Sequence, residues 1–307
     1  MEALREQWLI LISTPVYLLV IGAELLISHL RHSPAYSWRD TLSNVYLMLL
    51  NSSIDLLFRS IYVVLLVWGF KHRLFSWDAA FWYWFWLVIG MDFLFYWLHR
   101  VDHHCRLFWA VHVTHHSSEH FNLSVGFRSS VFQPLYRFVY FLPLAFAGFK
   151  AMDIVFIFAA TQIWGILVHT EQVGKLGWLE YVLVTPSHHR VHHASNARYL
   201  DRNLGMFLII WDKLFGTFQQ ELSPQEYQPI RYGLTKPLGR PNALELVFHE
   251  WRQIWRDVRR QRSWRHKWHC LLGPPGWSPD GSSLTSDQLR EQEAGQYPPA
   301  QGMGIDR

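Results

Sequence analysis

Of the chain's 18 histidines, seven lie between His99 and His120 and four more between His188 and His193. Their spacing is regular: HxxxH at His99 and His103, HxxHH at His112, His115 and His116, and HxxHH again at His189, His192 and His193. On a helix, residues three or four apart project from one face, with Cβ atoms roughly 5–6 Å apart. Each group therefore presents its imidazoles together. Thr185 can cap the third helix with Pro186 at its first position, which sets His189, His192 and His193 on one face. Eight imidazoles aimed at one place are too many for a single ion, and two metals with three or four nitrogens each fit. Imidazole serves iron, zinc, copper and nickel alike, so ligand type does not name the metal.

Position narrows the choice. The first group closes the apolar run Phe81–Leu98, the second follows it closely, and the third comes after the last apolar segment of the chain. The metals are expected just outside the hydrocarbon layer, under the mouths of membrane helices, where a lipid chain rather than a soluble substrate reaches them. Zinc activates water, but an unactivated alkyl chain has no carbonyl for water to attack. Molecular oxygen activated at two iron ions matches that substrate better. The run His116-Ser117-Ser118-Glu119-His120 spells HxxEH, an inverted zinc-protease motif. An intramembrane zinc hydrolase is thus a distant alternative, which leaves the other two groups unexplained. Haem ligation or metal transport would place lone histidines along a span, not pairs and triads at one end. Asp92 shares a helix face with Tyr96, His99 and His103, and a carboxylate inside a span is costly without a partner. It is a candidate to orient a ligand imidazole. Glu119 and Glu171 are similar candidates beside the second group and His169.

The elements that must carry these groups are membrane helices. The chain is 50% hydrophobic, 17% aromatic and 17% charged, against about 25% charged in a soluble domain. Runs of roughly 20 apolar residues can span a bilayer: Trp8–Leu30, Leu42–Phe70 and Phe81–Leu98 qualify, and Leu135–Phe149 and Ile154–Val168 are shorter. In the second run Asp55 and Arg59, four apart, can neutralise one another. The first run is followed by no small-residue cleavage site and is expected to be a retained anchor. The expected fold is all-α: an integral membrane helical bundle of about four to five membrane segments, with a cytosolic helical cap carrying the histidines. Residues 1–75 would hold the anchor helices and 76–240 the catalytic membrane domain. Residues 241–272 would form a basic, Trp-rich surface helix, and the Gly-, Pro- and Ser-rich 273–307 a disordered tail. The formal charge is +4, with much of the excess in Arg252–Lys267, interleaved with tryptophans. Beside membrane spans this pattern points to anionic lipid and not to nucleic acid. That stretch, with Arg100, Arg106 and Arg128, favours a cytoplasm-facing site, at the inner membrane of a bacterium or the endoplasmic reticulum of a eukaryote. Two cysteines make no disulfide framework and suit a reducing compartment.

The order HxxxH, HxxHH, HxxHH around membrane spans resembles the fatty acid hydroxylase/sterol desaturase superfamily. His115-His116-Ser117-Ser118-Glu119 with Asn122-Leu123, then His169-Thr170-Glu171, Thr185–His193 and Trp211–Thr217, look like its alkylglycerol monooxygenase branch. The likeness runs from about Asp92 to Leu238. After the first group the chain has His104, where that branch is expected to carry a glutamate. The resemblance implies a non-haem di-iron site made by the eight histidines, often with one more at the position of His169. It implies lipid oxidation with O2, by hydroxylation or desaturation. It also implies an electron donor, tetrahydrobiopterin or a cytochrome b5- or ferredoxin-type protein.

Overall fold

In the computed structural model of the protein, residues 2–33 and 35–296 are described, with side chains from 11 onward and through 295. The three long apolar runs form α1 (Glu2–Leu30), α2 (Trp38–Lys71) and α3 (Ala80–His104). At 1.5 Å per residue even α3 measures about 38 Å, more than the roughly 30 Å of a hydrocarbon core. All three are long and apolar enough to cross a membrane, and the chain is a membrane protein on that reading. Their outward faces agree: Leu18, Leu19, Leu56 and Leu57 are 70–74% exposed, an arrangement suited to lipid rather than water.

Two shorter helices complete the bundle, α5 (Arg137–Phe146) and α6 (Ala151–Leu167). They form a hairpin whose turn lies at the end of the bundle away from the histidines. There the indole of Trp77 donates to Ala147 O at 2.9 Å and the hydroxyl of Tyr83 to Asp153 at 2.7 Å. The core between α2, α3, α5 and α6 is built from Leu66, Leu87, Met91, Leu98, Leu144 and Ile154. Gly90 lets α5 come close, since a Cβ there would stand 2.8 Å from a methyl of Leu144. Asp55 pairs with Arg59 at 2.8 Å, as the spacing predicts, and with Arg137 of α5 as well. The buried Glu24 of α1 accepts from Leu123 N at 2.8 Å and from the hydroxyls of Tyr36 and Thr170. The anchor helix is thereby tied to the segment that carries His169.

Beyond the bundle the chain builds a cap. It consists of α4 (Arg106–His116), α7 (Pro186–His192), α8 (Ile210–Leu214), α9 (Ala243–Arg260), α10 (Trp264–Leu272) and α11 (Ser286–Gln296), joined by turns. Among the described residues no β-strand occurs, only two isolated bridges. The expectation of a disordered tail from Gly273 fails as far as Gln296. Arg106 N donates to Gly273 O at 2.9 Å, Trp277 packs on His269 with ring centres 4.1 Å apart, and Tyr227 donates to Glu293 at 2.7 Å. Composition reports what a segment can bury by itself. These residues are ordered by docking onto the cap. Residues 297–307 lie outside those described.

Candidate metal centre

The local folding that aims the imidazoles is simple. α3 runs out of the bundle and ends in its first histidine pair, and the chain reverses at Cys105 into α4, which brings the second triad back against α3. α7 starts as the sequence predicts, with Thr185 accepting from His188 N and Pro186 in the first turn. The His188 ring answers the Thr185 backbone N–H at 3.4 Å, which completes a reciprocal cap. That position makes His188 part of the cap.

Nine imidazoles converge. His99, His103, His112, His116 and His192 form one group, and His115, His169, His189 and His193 a second. Within each group the nearest ring nitrogens lie within 4.8 Å of one another. The triads are divided between the groups: His112 and His116 go to the first and His115 to the second, while His189 and His193 go to the second and His192 to the first. Helix geometry explains the division. Residues i and i+4 differ by about 40° around the axis, whereas i+3 and i+4 diverge by about 100°. An HxxHH helix lying between two centres therefore gives a pair to one and a single ligand to the other. The groups adjoin, with the rings of His116 and His193 stacked at 4.4 Å. His104 is exposed and bonded to its own helix, and neither it nor His120 joins a group. His116 and Glu119 thus do not act with His120 as an HxxEH site.

The other ring nitrogens fix the tautomers. Nδ1–H of His99 donates to Leu204 O at 2.7 Å, His115 to Arg128 O at 2.8 Å, His169 to Gly165 O at 2.6 Å and His192 to Arg202 O at 3.0 Å. A carbonyl only accepts, so each Nε2 is left as a lone pair facing inward. Yet Nε2 of His112 lies 3.1 Å from that of His99 and 3.2 Å from that of His116. Nε2 of His169 lies 3.0 Å from that of His189 and 3.1 Å from that of His193. In the metal-free protein an N–H on one ring of each pair can donate to the lone pair of the other, and when a metal is held both nitrogens turn lone pairs to it. Ligands about 2.1 Å from one ion at right angles stand about 3.0 Å apart, so the spacing is compatible with a shared coordination shell. The buried Nε2 atoms of His103 and His192 have no protein partner, as a metal site requires. Burial first, and neighbouring imidazoles second, hold His112, His116, His189, His192 and His193 well below the ordinary imidazole range; burial likewise depresses His169, and pushes His115 down to about 4. All are neutral at physiological pH, the form that binds metals.

The carboxylates do not behave as the sequence suggests. Asp92, expected to orient an imidazole, accepts instead from Phe207 N at 2.9 Å, Leu208 N at 3.0 Å and the Trp211 indole at 2.9 Å. Its partners belong to the loop behind the site and to α8, which follows it. Glu119 and Glu171 are exposed and line a second cavity of about 810 Å³, with Glu171 held by the Tyr232 hydroxyl. Neither bonds to a grouped imidazole.

The carboxylate that does is Asp201, which accepts from His103 Nδ1 at 3.0 Å. Asp201 and Asn203 both take left-handed backbone, at φ 54°, a conformation that Asp and Asn tolerate better than most residues. The pair Asp-x-Asn eight residues beyond the third triad was the one sequence cue. Asp102, fully buried, accepts from Gln133 at 2.8 Å and Tyr136 at 2.7 Å, and lies 4.0 Å from His112 Nδ1, which bonds Ser130 Oγ at 2.8 Å. Two buried arginines hold the loops: Arg128 reaches Asp40, Asn44 and Thr114 O, and Arg190 ties the third triad to Thr170 O and Glu221. Because a carboxylate raises the basicity of the ligand it holds, Asp201→Asn should weaken metal binding about 10–100-fold. Titration of metal-stripped protein with Fe(II) checks this, and unchanged affinity would remove Asp201 from the centre.

Residues 84–217 match the family model for fatty acid hydroxylase. The alkylglycerol monooxygenase of Homo sapiens is 35% identical over 295 residues, 93% of this chain and 64% of the relative. That of Xenopus tropicalis is 31% identical over 291 residues, 94% of this chain and again 64% of the relative. A Delta(7)-sterol 5(6)-desaturase of Gibberella zeae is 30% identical over 159 residues, 46% of each chain. This chain thus spans just under two thirds of the length of the monooxygenases it matches. No solved structure matches it.

Proposed function

We propose that this chain, whose residues 84–217 match the fatty acid hydroxylase family model, belongs to that family and is a membrane-bound non-haem di-iron oxygenase that hydroxylates a C–H bond of a lipid. The observation that carries this reading is the pair of neighbouring imidazole groups, five and four strong, at the cap end of α3. The first group would hold one iron and the second the other. When bound, paired iron supplies the O2 activation that an unactivated C–H bond demands. The balance is R–H + O2 + two electrons + two protons giving R–OH + H2O, so an external electron donor is required. The monooxygenase relatives, whose names specify alkylglycerol, support monooxygenation of a lipid.

The protein's part is positioning. Backbone carbonyls and Asp201 fix the tautomer and direction of five imidazoles. Burial keeps the six triad imidazoles and His169 unprotonated. Phe121, stacked on Tyr232 at 4.8 Å and 5.3–5.5 Å from His193 and His169, shields the second group from water. Arg106 and Arg128 are neutralised by internal acids. A cytoplasmic orientation therefore rests on Arg100 and on the basic helices α9 and α10.

Expression in a host lacking the gene, under oxygen-18 gas, followed by comparative lipidomics, tests the reading. One lipid class should gain a single oxygen-18 atom, with two irons per chain in the purified protein. Loss of two hydrogens without label would favour the desaturase alternative, to which the sterol desaturase relative points. Zinc alone, with oxygen-independent turnover, would overturn the proposal.

A further inference from the structure

A cavity of about 1020 Å³ opens beside the metal centre, with His103, His116, His192 and His193 at one end and α9 along its rim. On that rim stand Arg252, Arg256 and Arg260. Spaced by four, they form one ridge about 12 Å long on the helix. All three are exposed, and among the described residues no carboxylate lies within ion-pair distance of any of them. The acids that line the same cavity are already engaged. Glu250 and Asp257 hold Arg106 at 2.8 and 2.7 Å, Glu245 caps α9 through Asn242 N, Asp201 holds His103, and Asp280 holds Ser282.

Like charges four apart destabilise a helix. A ladder of three cations persists at this cost beside acids that another arginine has taken. A guanidinium pairs best with the planar or tetrahedral oxyanions of carboxylate and phosphate. The outer face of the same helix pair indicates where such an anion comes from. Trp255, Trp264 and Trp268 are 57–72% exposed, with Arg259 over the Trp255 ring at 4.6 Å and Lys267 over Trp264 at 4.7 Å. Amphipathic aromatic side chains with cations above them sit at headgroup level in a bilayer. The inner wall of the cavity, between ladder and histidines, includes Trp109 and Val113, apolar surface along which a chain can lie.

We infer that the Arg252–Arg256–Arg260 ladder is a headgroup subsite, and that the lipid taken by this centre bears a phosphate. The inference rests on the lipid oxygenase reading and adds the substrate's polar end to it. The test uses iron-loaded full-length protein in phosphatidylcholine nanodiscs, with two lipids that share one chain: 1-O-hexadecylglycerol and its 3-phosphate. Equilibrium binding is measured alongside turnover, the latter under O2 with tetrahydrobiopterin or a reduced ferredoxin added as the source of the two electrons. The wild type should bind the phosphate at least about 10-fold more tightly than the neutral lipid. In R252Q/R256Q/R260Q the ratio should collapse to within about twofold, with iron content unchanged; R256Q alone should fall between. Inorganic phosphate should fail to displace either lipid. Equal binding of the two lipids by wild type overturns the inference, as does a preference that survives the triple change or a site that inorganic phosphate fills as well as the lipid does. If neither lipid is turned over but the binding ratio behaves as stated, the headgroup subsite stands and the oxygenase reading falls. If both are turned over with equal affinity, the converse holds.

Discussion

His115→Ala and His192→Ala should each reduce product formation by more than about 100-fold, since even groups that only support a ligand are worth 10–100-fold. The two variants should differ in metal content. His115 belongs to the four-membered group, and its loss leaves three imidazoles to hold an ion. His192 belongs to the five-membered group, and its loss leaves four, a full tetrahedral set. His115→Ala should therefore purify with about one iron per chain. His192→Ala should keep more, and be inactive because the geometry of one centre has changed. His104→Ala serves as the control: this ring is exposed, bonded to Arg100 O and outside both groups, and its replacement should leave iron content unchanged. Metal analysis and the labelled-oxygen assay on the same preparations decide the matter. Full turnover by either ligand variant would mean that the imidazoles converge for some other purpose.

Much of this centre was legible because a helix converts spacing into direction. The triads His112, His115, His116 and His189, His192, His193 needed only the helical period to be recognised as converging. The same period contained the division of each triad between two groups, although spacing alone does not say that a helix lies between two groups rather than beside one. His169 stands alone in the sequence. Family resemblance singled it out, and its place follows from α6 delivering it at the helix end with Nδ1 tied to Gly165 O. Asp201 was marked only by its Asp-x-Asn pair, because its pairing with His103 spans 98 residues and depends on a left-handed loop, which no periodicity encodes. The ordered segment up to Gln296 was missed for a similar reason, since its structure comes from docking. Asp92 misled in an instructive way. Its helix face, shared with His99 and His103, was read correctly, but nothing in the sequence shows that the loop 204–211 inserts between them.

That loop makes Asp92→Asn the second change with a large expected effect. The carboxylate offers two acceptor oxygens to three N–H groups, with Oδ1 taking Phe207 N and Oδ2 taking both Leu208 N and the Trp211 indole. An asparagine matches the shape but has one oxygen and an NH2, so on either side a donor must face a donor. Asp92 is fully buried, and an unsatisfied buried donor costs about 1–3 kcal/mol. With one N–H stranded if the NH2 takes the Oδ1 side and two if it takes the Oδ2 side, the cost should be about 1–3 kcal/mol. The effect travels to the metal through a short path. Leu208 and Phe207 follow Leu204, whose carbonyl holds His99 Nδ1 and whose N–H is held in turn by Asp212 at 2.7 Å. Loosening the loop at its Asp92 end should release His99 from its fixed direction while leaving all nine imidazoles present. Asp92→Asn should thus lower the midpoint of thermal unfolding and weaken iron binding together, and added Fe(II) should restore part of the stability by mass action. Calorimetry with and without metal measures both effects. A variant as stable as the wild type would show that the carboxylate does not carry the loop, and a destabilised one with unaltered iron affinity would sever the proposed path to His99.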